Sequence, residues 1–172
     1  MTIESNETAH ESLIKDVVML AARILLESGA EGTRVEDTMT RIARKLGYSE
    51  SNSFVTNTVI QFTLHNESYQ RLYRIKSRDT NLIKISQANE ISRQITNGTI
   101  DLEEAKKKLE HIYIAKRDSS LPFKGIAAAI IAMSFLYLQG GRLIDVITAI
   151  LAGSFGYLVV EILDRKLHAQ FI

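Results

Sequence analysis

Charge almost vanishes from this chain after residue 118, and that asymmetry limits what its second part can fold into. Between residues 119 and 163 the only charged side chains are Lys124, Arg142, Asp145 and Glu161. Two apolar runs fill the stretch, residues 125–138 and 146–160, separated by Gly140-Gly141. Taken alone, each is shorter than the roughly 18 residues that cross a bilayer. With their flanks they widen to residues 121–141 and 143–163, with Lys124, Asp145 and Glu161 near the ends. A lysine there can extend its head to the interface, and Asp145 and Glu161 stand about 24 Å apart along a helix, so neither need sit at mid-bilayer. Both windows are apolar on every face rather than along one stripe. That favours a transmembrane hairpin, with spans at about 121–139 and 143–163, over a buried hairpin in a soluble helical domain. Small residues at Thr148, Ala152 and Gly156, and at Gly125 and Ala129, suit close helix packing in lipid.

Basic residues orient the hairpin. Lys106, Lys107, Lys108, Lys116 and Arg117 precede the first window and Arg165 and Lys166 follow the second, while Arg142 alone lies in the turn. The positive-inside rule then predicts a multi-pass protein of the cytoplasmic membrane with both termini cytoplasmic. The polar start, MTIESNETAHES, has no apolar segment of the signal-peptide kind.

Residues 1–117 carry patterns of a different sort. Leu13, Val17, Leu20, Ile24 and Leu25 recur at helical spacing before Gly29. A second stripe, Val35, Met39, Ile42 and Leu46, follows a Thr33–Glu36 capping pattern and ends at Gly47. Residues 53–64 and 69–76, rich in β-branched and aromatic side chains, read as two strands joined by the polar HNES. Helical spacing returns through Leu82, Ile85, Ala88, Ile91 and Ile95 up to Asn97-Gly98. Asp101 and Glu104 then cap a helix bearing Leu102, Ala105, Leu109 and Ile112. The expected fold is a cytoplasmic α+β domain, ααββαα over residues 1–117, followed by a two-helix transmembrane hairpin over 118–172, with the β-hairpin as the platform for the helices.

Several activities are disfavoured. A net charge of +1 lacks the basic excess of a nucleic-acid binder. Without cysteine there is no disulfide, thiolate site or Cys nucleophile. The four histidines are dispersed, no HExxH pair occurs, and neither a metal nor a cofactor is expected. The AGSFG run around Ser154 imitates a nucleophile elbow, but it lies inside an apolar helix with no histidine partner nearby in sequence. No enzyme is expected. Glu31, Arg34, Glu36, Asp37, Arg41 and Arg44 form a denser charged cluster than one helix requires, although Glu36 and Asp37 at a helix start and the Asp37–Arg41 spacing also have a structural explanation.

GAEGTRVEDTMTRIARKLG at 29–47 resembles the signature of the bacterial threonine/serine exporter family. FVTNTVIQFTL at 54–64, RIKSRDTNLIKISQANEISR at 74–93 and GGRLID at 140–145 extend the resemblance, in the family's order, over nearly the whole chain. The resemblance implies a cytoplasmic domain followed by a membrane domain that exports small amino acids or small carboxylates. It marks Glu31, Arg34, Glu36, Asp37, Arg74, Asp79, Gly140, Gly141 and Asp145 as candidates for a substrate or proton path. Asp145 could instead simply pair with Arg142. Asn57 stands where the family pattern has proline, so that loop departs from it. Because two spans cannot enclose a path, the further spans expected of the family would come from a homo-oligomer, a second membrane subunit or a longer gene product. The partners implied are the lipid bilayer and a small-molecule substrate. The alternative is a membrane-tethered regulatory or binding domain that gates a partner transporter subunit.

Overall fold

A computed structural model describes residues 9–65, 69–115, 121–142 and 144–167. Two compact units divide the chain, residues 1–115 and 116–172. The first contains α1 (Ala9–Glu27), α2 (Gly32–Lys45), β1 (Asn52–Val55), β2 (Val59–Thr63), β3 (Arg71–Arg74), α3 (Leu82–Asn97) and α4 (Leu102–Ile114). The second contains α5 (Leu121–Leu138) and α6 (Asp145–Leu167).

The expected ααββαα order does not hold. The run read as one strand over 53–64 folds back on itself, giving ααβββαα followed by two apolar helices, in a mostly helical chain. The reason is local. Thr56 turns its hydroxyl onto the amides of Thr58 and Val59, at 3.4 and 3.1 Å, and its own amide donates to the Val59 carbonyl at 2.9 Å. A threonine hydroxyl can thus hold a tight turn in a stretch whose β-branched residues suggest uninterrupted strand. The sheet is antiparallel throughout, in the order β1-β2-β3, with Phe54 opposite Gln61 and Ile60 opposite Tyr73. The expected β2–β3 connection, HNES, falls from residue 66 onward outside the described residues, as do Lys116 and Arg117.

The platform of this unit is α1 rather than the sheet. Ile14, Val17, Val18, Ala21, Ala22, Ile24, Leu25 and Leu26 are all buried, covering far more than one stripe. Against them pack α2 and α4, α3 at one side, and β2 and β3 at another. β2 sends Ile60 and Phe62 inward, and Leu64 just after it continues the two-residue period of a half-buried strand. Even Lys15 is buried in this core, its Nζ donating to the Tyr69 carbonyl at 2.9 Å. Asp16 accepts from Arg71 of the sheet at 3.1 Å and from Lys106 of α4 at 2.9 Å. Arg23 lies between the rings of Tyr73 and Tyr113, 4.2 and 4.3 Å from their centroids, donates to the Tyr113 hydroxyl, and pairs with Glu27 at 2.9 Å.

Helix ends follow one pattern. In α1, α2, α3 and α5 the terminal carbonyls accept from a glycine at positive φ and from the residue after it; Gly98, for example, donates to Ile95 and Thr99 to Gln94, both at 3.0 Å. At the other end, Asp101 caps α4 as expected, accepting from the Glu104 amide at 2.7 Å. The Thr33–Glu36 pattern does not cap α2. That helix starts at Gly32 with Glu31 at the cap and no side-chain cap bond.

Two measurements check this core. Residues 1–117 expressed alone are expected to fold with a mixed helix-and-strand circular-dichroism spectrum, and Phe62→Ala should cost that piece about 3–5 kcal/mol in urea unfolding. A disordered spectrum from the unaltered piece would contradict a self-contained core. Stability should also fall above about pH 10. The hydrogen bond to Asp16 raises the Lys106 pKa, and burial raises that of Tyr113. In both cases the unfolded chain loses its proton first as pH rises, which drains the folded state. Lys106→Met should flatten that alkaline limb of a urea-midpoint series, and an unchanged limb would exclude the Asp16 contact as its source.

Candidate functional site

Polar residues gather in the first unit where the α1–α2 turn, the β1–β2 turn and the β3–α3 segment meet. A helix end leaves its last carbonyls without partners inside the helix, and here each of the last five in α1 and its turn is occupied. Ser28 donates back to Ile24 at 3.0 Å, Ala30 to Leu25 at 2.9 Å and Gly29 to Leu26 at 3.1 Å. From the β3–α3 segment, the Asp79 amide reaches Glu27 at 2.8 Å and the Asn81 amide reaches Ser28 at 3.0 Å. Arg78 completes the junction. Its Nε donates to the Leu26 carbonyl at 3.1 Å, one Nη to the Ala30 carbonyl at 3.1 Å, and the other to Asn57 Oδ1 at 2.7 Å. A guanidinium here also complements the negative end of the α1 dipole.

The candidates read from the sequence fall around this junction in different roles. Asp79 turns its carboxylate onto the Thr80 amide at 2.7 Å. Glu36 accepts from the Val55 amide at 2.7 Å, fastening α2 to β1. Gly32 lies so near that strand that a Cβ built on it would come 3.3 Å from the Val55 carbonyl oxygen. Glu31 and Arg34 are exposed at the start of α2, and Arg74 is exposed at the end of β3, opposite Val59. Asp37 stands apart. It lines a surface groove of about 590 Å³ with Thr40, Arg41, Arg44, Lys45 and Thr96.

Arg78 was not singled out in the sequence. It lies between Arg74 and Asp79, which were, but no periodicity distinguishes it, and its three acceptors come from positions 26, 30 and 57. Asn57, the departure from the expected proline, is one of them.

In the second unit Gly140 and Gly141 make the turn after α5, donating to Tyr137 and Leu136, each at 3.0 Å. Gly140 has φ +71, and a Cβ at Gly141 would come 2.5 Å from Leu136 Cδ1, so both positions depend on glycine. Asp145 is exposed at the start of α6, where its carboxylate accepts from the backbone amide of Arg142 at 3.3 Å. It meets the Arg142 backbone, as at a helix cap.

The half-buried face of α6 towards α5 runs through Val146, Ala149, Gly153, Ser154, Tyr157 and Glu161. The helices come close at Gly153, where a Cβ would fall 2.7 Å from that of Ala132. A small-residue seam therefore exists, but it is centred on Gly153 rather than on Thr148, Ala152 and Gly156. On the same face lies a polar group not anticipated from the sequence. Lys124 Nζ stands 3.1 and 3.3 Å from the two oxygens of Glu161, and the Tyr157 hydroxyl donates to Glu161 at 3.0 Å. Ser154, the centre of AGSFG, directs its hydroxyl at the Gly125 carbonyl, 3.5 Å away. Among the described residues no group of three or more His, Asp or Glu is placed to hold a metal ion.

The family model titled "Putative threonine/serine exporter" matches residues 16–172. The chain belongs to that family. The match extends through both units. No curated protein and no solved structure matches the chain. Family membership brings an exporter-like transport function and association with a membrane; α6 provides a helix, Asp145–Leu163, long and apolar enough to cross one.

The junction yields a direct test. Arg78→Ala removes three hydrogen bonds, two of them to helix-end and turn carbonyls, and should cost about 2–4 kcal/mol in unfolding of the 1–117 piece. Arg78→Lys should recover only part of that, since an ammonium cannot span the same three acceptors. Equal stability of both variants and the parent would remove Arg78 from its structural role.

Proposed function

We propose that this chain is a component of a threonine/serine exporter-like transporter that moves small amino acids or small carboxylates out across the cytoplasmic membrane. The observation that carries the reading is the surface of α6. Its 19-residue apolar span has a mean hydropathy of 2.0 and no residue of it is fully buried within the protein, in a chain whose family match runs to residue 172. Ile147, Leu151, Phe155 and Val160 all point outward, and apolar surface on that scale marks a contact with lipid or with another protein.

On this reading α5 crosses beside α6. Its apolar stretch, Pro122–Leu138, is the shorter, yet the 18-residue helix measures about 27 Å, close to the roughly 30 Å of a hydrocarbon core. The hydroxyls of Ser134 and Thr148 bond the Ile130 and Asp145 carbonyls of their own helices, at 2.8 and 2.7 Å, as polar groups in lipid require. The first unit then lies on the cytoplasmic side with both chain ends. Further spans from additional copies or a second subunit enclose the path, and the chain acts by moving a solute rather than by chemical conversion.

The protein should remain in membranes after carbonate extraction. With Gln139→Cys, an impermeant thiol reagent should label intact cells, whereas a cysteine at position 5 should react only after lysis. Expression in a strain loaded with threonine should accelerate its efflux. Recovery of the chain as a soluble monomer without detergent would overturn the reading.

A further inference from the structure

Arg41, Arg44 and Lys45 stand at i, i+3 and i+4 on α2, the spacing that brings side chains together on a helix. With Asp37, Thr40 and Thr96 they line the groove of about 590 Å³ between α2 and the last turn of α3. Several other cations of this unit are engaged: Arg71 and Lys106 meet Asp16, Arg23 meets Glu27, Lys108 meets Glu104, and Arg78 meets two carbonyls. Among the described residues, Arg41, Arg44 and Lys45 meet no acceptor, and Asp37, one turn before Arg41, forms no ion pair with it.

The dipole of α2 favours cations near its C-terminus, but the helix end does not take these side chains up. Its last carbonyls, those of Ile42, Ala43 and Arg44, accept from the backbone amides of Leu46, Gly47 and Tyr48 at 3.0 to 3.2 Å. Arg41 stands a full turn before the end. Like charges at i, i+3 and i, i+4 also repel one another, so α2 alone gains nothing from gathering three of them. An anion in the groove relieves that repulsion.

We infer that this groove is a binding site for a phosphate group, carried either by a soluble phosphorylated compound or by an anionic lipid headgroup. The site lies wholly within the first unit and does not rest on the exporter reading. Three cations and one carboxylate give the groove a formal charge of +2, which a phosphate monoester, carrying about −1.5 to −2 at neutral pH, offsets. The guanidiniums of Arg41 and Arg44 present donor forks that match phosphate oxygens, and Lys45 adds a compact charge. Thr40 adds a hydroxyl; its contact with Ser53 Oγ, at 3.4 Å, is too long to hold it, so it can turn to the ligand. Thr96, whose hydroxyl donates to the Ser92 and Arg93 carbonyls at 3.1 and 2.9 Å, is fixed as the far wall. A carboxylate, with one charge on two oxygens, would use less of this donor set.

The test is calorimetric titration of the purified full chain in detergent with pyrophosphate and with malonate, a dianion that lacks phosphorus. Pyrophosphate should bind, and malonate should bind at least about tenfold more weakly. The double Arg41→Gln/Arg44→Gln variant should lose at least about tenfold in pyrophosphate affinity. Asp37→Asn, which removes the one acid of the groove, should gain about threefold. Lys108→Gln, on α4 and paired with Glu104, should leave the affinity unchanged. Asp37, Arg41 and Arg44 are exposed, so the variants should keep the parent's circular-dichroism spectrum; where the double variant is not recovered, Asp37→Asn and the malonate comparison decide. Cardiolipin dispersed in the same detergent separates the two sources. Displacement of pyrophosphate by cardiolipin, but not by phosphatidylcholine, assigns the site to a lipid headgroup, and binding that cardiolipin leaves intact assigns it to a soluble phosphate compound. Binding of neither pyrophosphate nor cardiolipin, equal affinity for malonate, parental affinity in the double variant, or weaker binding by Asp37→Asn would each overturn the site.

Discussion

The first unit depends on α1 being buried on most of its circumference. A surface helix hides one stripe and turns the rest to water, but α1 is covered by α2, α3, α4 and two strands. Its few polar positions are therefore matched individually. Lys15 finds the Tyr69 carbonyl, Asp16 takes two cations from different elements, and Arg23 is held between two tyrosine rings. Each contact joins α1 to an element distant in sequence. Buried polar groups with specified partners restrict the ways in which these amphipathic helices and the small sheet can pack around the same rod.

The same requirement explains the polar junction at the end of α1. Once a helix terminus is enclosed, its carbonyls need donors, and the β3–α3 segment supplies three: the amides of Asp79 and Asn81 and the guanidinium of Arg78. The conspicuous charge density between residues 27 and 37 and between 74 and 81 thus has much of its cause in chain connectivity. Glu36, which accepts the Val55 amide, belongs to that scaffold. The groove beside Asp37, with Arg41, Arg44 and Lys45, is where charge on α2 faces outward.

How much could be read beforehand varies with the range of the interaction. The α1 stripe, the Asp101 cap and the glycine stops after α1, α2 and α3 depend on residues within one or two turns, and the sequence displays them. Apolar composition likewise marks both helices of the second unit. The β1–β2 turn was hidden because Thr56, Asn57 and Thr58 sit among residues with high strand propensity, and only the direction of one hydroxyl shows that the chain reverses. The Thr33–Glu36 spacing misled for a related reason: a cap pattern does not reveal that a strand amide competes for the carboxylate. Arg78 with Asn57, and Lys124 with Glu161, bring together residues 21 and 37 positions apart. No local pattern encodes such pairs.

On the proposed transmembrane reading, that last pair also bears on how the hairpin would reach the membrane. Lys124 on α5 and Glu161 on α6 would each bring a charge toward the apolar phase, and the contact between them forms only when both helices are present. Their contact would offset part of the cost of carrying these two charges in separately. On that reading insertion of this segment would be a cooperative event, in which the leading helix waits at the interface until the trailing one emerges.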